Sequence, residues 1–113
     1  MEARAGILAK FVEELQRIGQ SEAFESEVET IAAAVEVVGG YIRAAARWPD
    51  YNSFHEALGV LREEYREFEE EVFKKKQSRK LLRAEAVDIA VVCLRVMTEL
   101  TTREQVAAEE AKD

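Results

Sequence analysis

Between Leu61 and Arg95 the chain sets carboxylates into helical stripes that ought to be apolar, and this narrows what it can fold into. Leu58, Leu61, Tyr65, Phe68 and Val72 recur at spacings of 3, 4, 3 and 4, the pattern of a helix with one buried seam, and Glu64 and Glu67 flank that seam. A basic stretch from Lys74 to Lys80 then turns the chain. Beyond it Leu81 and Val92 define a second stripe whose intervening members, by helical phase, are Glu85 and Asp88. The two stretches read as a helical hairpin. An unpaired ionised carboxylate in a dry interior is strongly destabilising, so these acids must be protonated, paired with cations or bound to a metal.

The spacing favours metal. Glu64 and Glu67 are i,i+3 neighbours, as are Glu85 and Asp88, so each pair projects from one helix face. Measured from a turn near Lys76 to Arg79, Glu67 lies about 9 residues down one helix and Glu85 and Asp88 about 6 to 9 down the other. At helical rise that puts all of them about 9 to 14 Å from the apex, so the pairs can meet. Oxygen ligands with no convergent His or Cys select Mg²⁺, with Mn²⁺ as a substitute, over zinc.

The same residues carry a family pattern. E-E-Y-R-E (Glu63, Glu64, Glu67), followed after 17 intervening residues by E-A-V-D (Glu85, Asp88), resembles the EExxE…ExxD signature of the all-α nucleoside triphosphate pyrophosphohydrolases, the MazG-like and dimeric dUTPase-like group. The resemblance covers about residues 54 to 100. It implies Mg²⁺-dependent hydrolysis between the α- and β-phosphates of a ribo- or deoxynucleoside triphosphate, giving the monophosphate and pyrophosphate, with nucleotide-pool housecleaning as the purpose. It also implies a homodimer or homotetramer that completes the pocket. Glu64, Glu67, Glu85 and Asp88 become the metal ligands. Glu63, about 100° round the helix from Glu64, becomes a water-orienting base or an outer support.

Cations near this constellation are candidates for the phosphates. Arg95 lies seven residues after Asp88 on the same face, where many members of the family carry Asn. Its planar donor fork suits a phosphate, and an i,i+4 ion pair with Glu99 is the competing role. Lys76, Arg79 and Arg83 are placed to reach a phosphate tail from above the acids, although cations at a helix C-terminus also complement its dipole. Glu69, Glu70 and Glu71 read as a solvated acidic face.

The remaining chain is amphipathic and helical. Ile7, Leu8, Phe11, Val12, Leu15 and Ile18 form one stripe ending at Gly19; Val28, Ile31, Val35, Val38 and Ile42 form another, with its start at Ser26 or Ser21 and its end near Trp48. Gly39-Gly40 within it reads as a kink or a close helix crossing, with a hinge over a nucleotide pocket as the alternative. Pro49-Asp50 breaks the chain, Ser53 with Glu56 opens the hairpin's first helix, and Thr102 with Gln105 caps a polar segment expected to be a frayed helix or tail. The expectation is therefore one all-α domain over residues 1–113, an antiparallel four-helix bundle oligomerising through helix faces.

Composition sets the remaining bounds. A net charge of −7 argues against polymeric nucleic acid and anionic membranes as partners. Cys93 is the single cysteine and no run of 18 apolar residues occurs, so a reducing cytoplasm without a membrane span is expected. Two other readings remain open. One is a non-catalytic helical interaction module with its acids paired to Arg62, Arg66 and Arg83, and the other is a nucleotide-binding MazG-like protein of little activity.

Overall fold

The computed structural model describes residues 2–20 and 27–112, and every regular element among them is helical: α1 (Glu2–Gly19), α2 (Val28–Arg47), α3 (Phe54–Val72), α4 (Arg79–Glu99) and α5 (Arg103–Lys112). The polar C-terminal segment is thus a fifth helix. Ser21 and Ser26, the alternative starts of α2 in the sequence, lie outside the described residues. Where the sequence suggests one domain, the chain divides into two units, residues 1–34 and 35–113, with the boundary inside α2. In the first unit Phe11, Val12 and Leu15 of the α1 stripe are all exposed, and an i,i+3 ion pair joins Glu14 to Arg17.

Capping accounts for the ends of the helices in the second unit. Ser53 Oγ accepts from the Glu56 amide at 3.1 Å, while Glu56 turns to the Asn52 side chain at 3.0 Å. Thr102 and Gln105 close a reciprocal box, at 3.2 Å and 2.7 Å. Ser78, hidden in the sequence by the cations around it, caps α4 through the Leu81 amide at 3.2 Å. The Gln77 side chain donates to the Val72 carbonyl at 2.9 Å and satisfies one of the last acceptors of α3.

α3 and α4 form an antiparallel hairpin. Ala57 and Val92 share the small core at its open end, and Glu67 meets Glu85 nearer the turn. The seam of α3 sits one position away from the apolar series in the sequence. Ala57 is buried and Leu61, Glu64, Glu67, Phe68, Glu71 and Val72 are half-buried, whereas Leu58 and Tyr65 are 43% and 58% exposed. The carboxylates do not flank the seam; they are in it.

The C-terminal half of α2 reaches α4 through Gly40. A Cβ there would meet Val91 Cγ2 at 2.9 Å, inside any real contact, so the glycine allows the two helices to approach. Glu36 of α2 pairs with Arg83 at 2.8 Å, and Thr98 donates to the Tyr41 hydroxyl at 3.2 Å. Of the roles that the sequence allows for Gly39-Gly40, the structure has the close crossing, at Gly40.

The linker from α2 to α3 is fastened by a charged pair. Arg95 and Glu99 are buried on α4, with Arg95 Nε 2.7 Å from Glu99 Oε2. The other Glu99 oxygen accepts the Tyr51 amide at 2.7 Å, and Arg95 Nη2 donates to the Pro49 carbonyl at 2.7 Å. The guanidinium lies over the buried Tyr51 ring, 4.1 Å from its centroid.

Two stability outcomes follow from these contacts. Glu99→Leu strands the Arg95 charge and lowers stability by about 3–5 kcal/mol, while the Arg95→Met/Glu99→Leu double variant loses much less. Gly40→Ala lowers stability by about 1–2 kcal/mol, overpacking outweighing the better helix former, whereas Gly39→Ala raises it by up to about 1 kcal/mol. Urea midpoints for the four proteins check both.

Candidate functional site

The acids that the sequence picks out come together in part. Glu64 and Glu67 from α3 and Glu85 from α4 each bring a carboxylate oxygen within 4.8 Å of the other two. All three residues are half-buried. Asp88, one turn beyond Glu85, is exposed and stands outside this triad, yet close enough for its charge to act on Glu64. Glu71 extends the row toward the turn: its side chain is 13% exposed and pairs with Lys74. One oxygen each of Glu64, Glu71 and Glu85 is buried without a hydrogen-bond partner.

Like charges held together in a partly dry seam resist ionisation. Glu64 is pushed up to about 7, first by loss of solvent and then by the charges of Glu67 and Asp88. Glu85 and Asp88 are raised for the same first reason, with Glu67 next in each case. At neutral pH about half of Glu64 therefore carries a proton. The row relieves its own repulsion with protons, and a hard divalent cation bound by the same oxygens would do so without them.

Two clefts flank the acids within the second unit. One of about 300 Å³ runs between α2, the linker and α4, bordered by Glu64, Asp88, Arg43, Trp48 and Tyr51. The other, of about 600 Å³, is bordered by Glu36, Lys80, Arg83, Asp88 and again Arg43. Arg43, Val87 and Asp88 belong to both, so the clefts share a wall.

The remaining candidates separate. Glu63 is exposed on α3, and Lys76 and Arg79 are exposed at the turn and border neither cleft. Arg83 borders the larger cleft and pairs with Glu36. Arg95 has the second of the roles open to it in the sequence. With donors on Glu99 and the Pro49 carbonyl and a face on Tyr51, it is a buried wall of the smaller cleft and is no longer a phosphate candidate. Cys93 is exposed.

Sequence reasoning missed Glu71 and Arg43. The signal for Glu71 is its phase: it follows Glu67 by four residues and Glu64 by seven, on the same face. Arg43 carries no such signal, because its proximity to the acids depends on the approach at Gly40.

The chain matches no protein-family model, no curated protein and no solved structure. The link to the MazG-like pyrophosphohydrolases rests on E-E-Y-R-E and E-A-V-D alone.

The raised carboxyls fix the sign of a pH effect. Because Glu64 holds its proton more tightly when folded, its share of stability is present below its ordinary value of 4.5 and is lost as pH rises toward 7. Without divalent metal the melting temperature falls between about pH 5 and 8. Glu64→Gln flattens that decline and stabilises the protein at pH 8 by about 1–2 kcal/mol, the full shift being discounted for solvent screening; melts across pH test it.

Proposed function

We propose that this protein is a Mg²⁺-dependent nucleoside triphosphate pyrophosphohydrolase, converting a ribo- or deoxynucleoside triphosphate and water to the monophosphate and pyrophosphate. The observation that carries the reading is the half-buried triad Glu64, Glu67 and Glu85, with unpartnered buried oxygens on Glu64 and Glu85. Its donor set is all carboxylate oxygen, which fits a hard cation. Glu64, Glu67, Glu85 and Asp88 would hold the metal, which supplies charge neutralisation at the phosphates. The cleft bordered by Glu64 and Asp88 lies beside these groups and is where a polyphosphate is positioned. Glu63 sits on the solvent side of α3 and acts by orienting water from outside the metal shell.

A second copy of the chain completes the molecule in this reading. Tyr51, Ala57, Val91 and Val92 are the buried apolar residues described, while Phe54, Leu58 and Met97 border an open apolar groove of about 400 Å³. Such a small core is poorly matched to a chain of 113 residues standing alone, and a copy packed on the groove would enlarge it. The helices then assemble into an oligomeric antiparallel bundle, with α1 offering a further exposed apolar stripe.

The reading predicts pyrophosphate release from at least one member of a panel of canonical and modified nucleoside triphosphates with Mg²⁺ or Mn²⁺, abolished by EDTA. Glu64→Gln and Glu85→Gln each reduce turnover at least about a hundredfold while remaining folded by circular dichroism. Light scattering on the active preparation gives the mass of a dimer or tetramer. A folded oligomer that is silent across the panel, and that gains no melting temperature from Mg²⁺ with nucleotide, leaves the interaction module as the function.

A further inference from the structure

We propose that Arg43 receives the anionic phosphate tail of the ligand at the wall shared by the two clefts; the identity of that ligand rests on the nucleotide reading above, and the placement of the arginine does not. Arg43 borders both clefts together with Asp88, and in the smaller one it shares the lining with Glu64 as well, so a phosphate chain bound in that cleft has this cation and the acids in the same walls. The Arg43 Nη1 and Nη2 atoms lie 3.5 Å and 3.9 Å from where Cβ atoms of Gly39 and Gly40 would be, so the side chain folds back over bare helix backbone. Gly40 also brings α2 onto Val91 of α4, and with α2 so placed Arg43 borders the same cleft as Glu64 and Asp88.

The neighbouring charges single Arg43 out further. Glu36, seven residues earlier on α2, pairs with Arg83 across the larger cleft. Arg95, in the smaller cleft, is committed to Glu99 and Pro49. Arg43 makes no ion pair or hydrogen bond among the described residues and keeps its donor fork available. A phosphate takes two parallel charge-assisted hydrogen bonds from such a fork. Lys80, on the border of the larger cleft, adds positive charge on the same side.

Calorimetric titration with two separate probes tests the assignment. Mg²⁺ alone reports on the acids; inorganic tripolyphosphate, with and without Mg²⁺, reports on the cation. Arg43→Ala is expected to weaken tripolyphosphate binding about ten- to a hundredfold, with unchanged Mg²⁺ affinity and an unchanged circular dichroism melt. Arg43→Lys, which restores the charge without the fork, recovers part of the loss. Equal affinity of the wild type and Arg43→Ala overturns the proposal, as does a wild type that binds Mg²⁺ but no tripolyphosphate. Failure of the wild type to bind Mg²⁺ removes the hydrolase reading instead, and Arg43-dependent binding of tripolyphosphate then stands as an anion site in its own right.

Discussion

Closing α3 on α4 forces carboxylates into the seam that holds the hairpin together, and much of the structure answers to that constraint. Two ionised carboxylates within 4.8 Å repel by about 3 kcal/mol or more at the effective dielectric of a partly buried site. A hairpin cannot bring Glu64, Glu67 and Glu85 together as three full charges without losing a large part of a small domain's stability. Protonation lowers the repulsion, and loss of solvent together with the charges of Glu67 and Asp88 pushes Glu64 up to about 7. The apolar core is displaced accordingly. It gathers at the open end of the hairpin, around Tyr51, Ala57 and Val92, and stays small.

Helix α4 shows the two ways in which a fold can keep charge out of water. Glu85 has a buried oxygen with no hydrogen-bond partner, while three turns on Arg95 and Glu99 are more deeply buried and fully engaged. The second arrangement has an evident structural use. Each Glu99 oxygen and each Arg95 nitrogen that is engaged holds α4 or the Pro49–Tyr51 linker, so the pair fixes the angle at which the chain leaves α2. The first arrangement has no such use. A leucine at Glu85 would serve the hairpin better, and it is the cation of the proposed function that would give the acids there a use.

Much of the fold was legible in the residues because it is written locally. Ser53, Thr102 and Pro49 mark helix boundaries through contacts with residues next to them, and the hairpin turn at Lys74–Ser78 follows from the change of composition. The phase of the α3 seam was not legible. The most apolar series, Leu58 to Val72, is the natural choice when acids are assumed to face water, and it fails because three acids occupy the inner positions. The same assumption hid Glu71. Arg95 was undecided because an i,i+4 partner and a vacant phosphate site look alike in one dimension. The Pro49 carbonyl and the Tyr51 ring, 46 and 44 positions away, decide it.

Arg43 illustrates the limit of that legibility and also how the site is built. Nothing in V-G-G-Y-I-R announces a charge near Glu64, because the link passes through Gly40, Val91 and the packing of α2 on α4. The acids belong to the hairpin, but the clefts beside them exist only where α2 and the linker supply a second wall. Structure around the site is therefore set in part by two contacts that use none of the clustered acids, the Gly40 crossing and the Arg95–Glu99 clamp. The hairpin alone would retain its carboxylates and lose the cation, so residues 35 to 51 are as much a part of this site as the acidic motif from which it was first read.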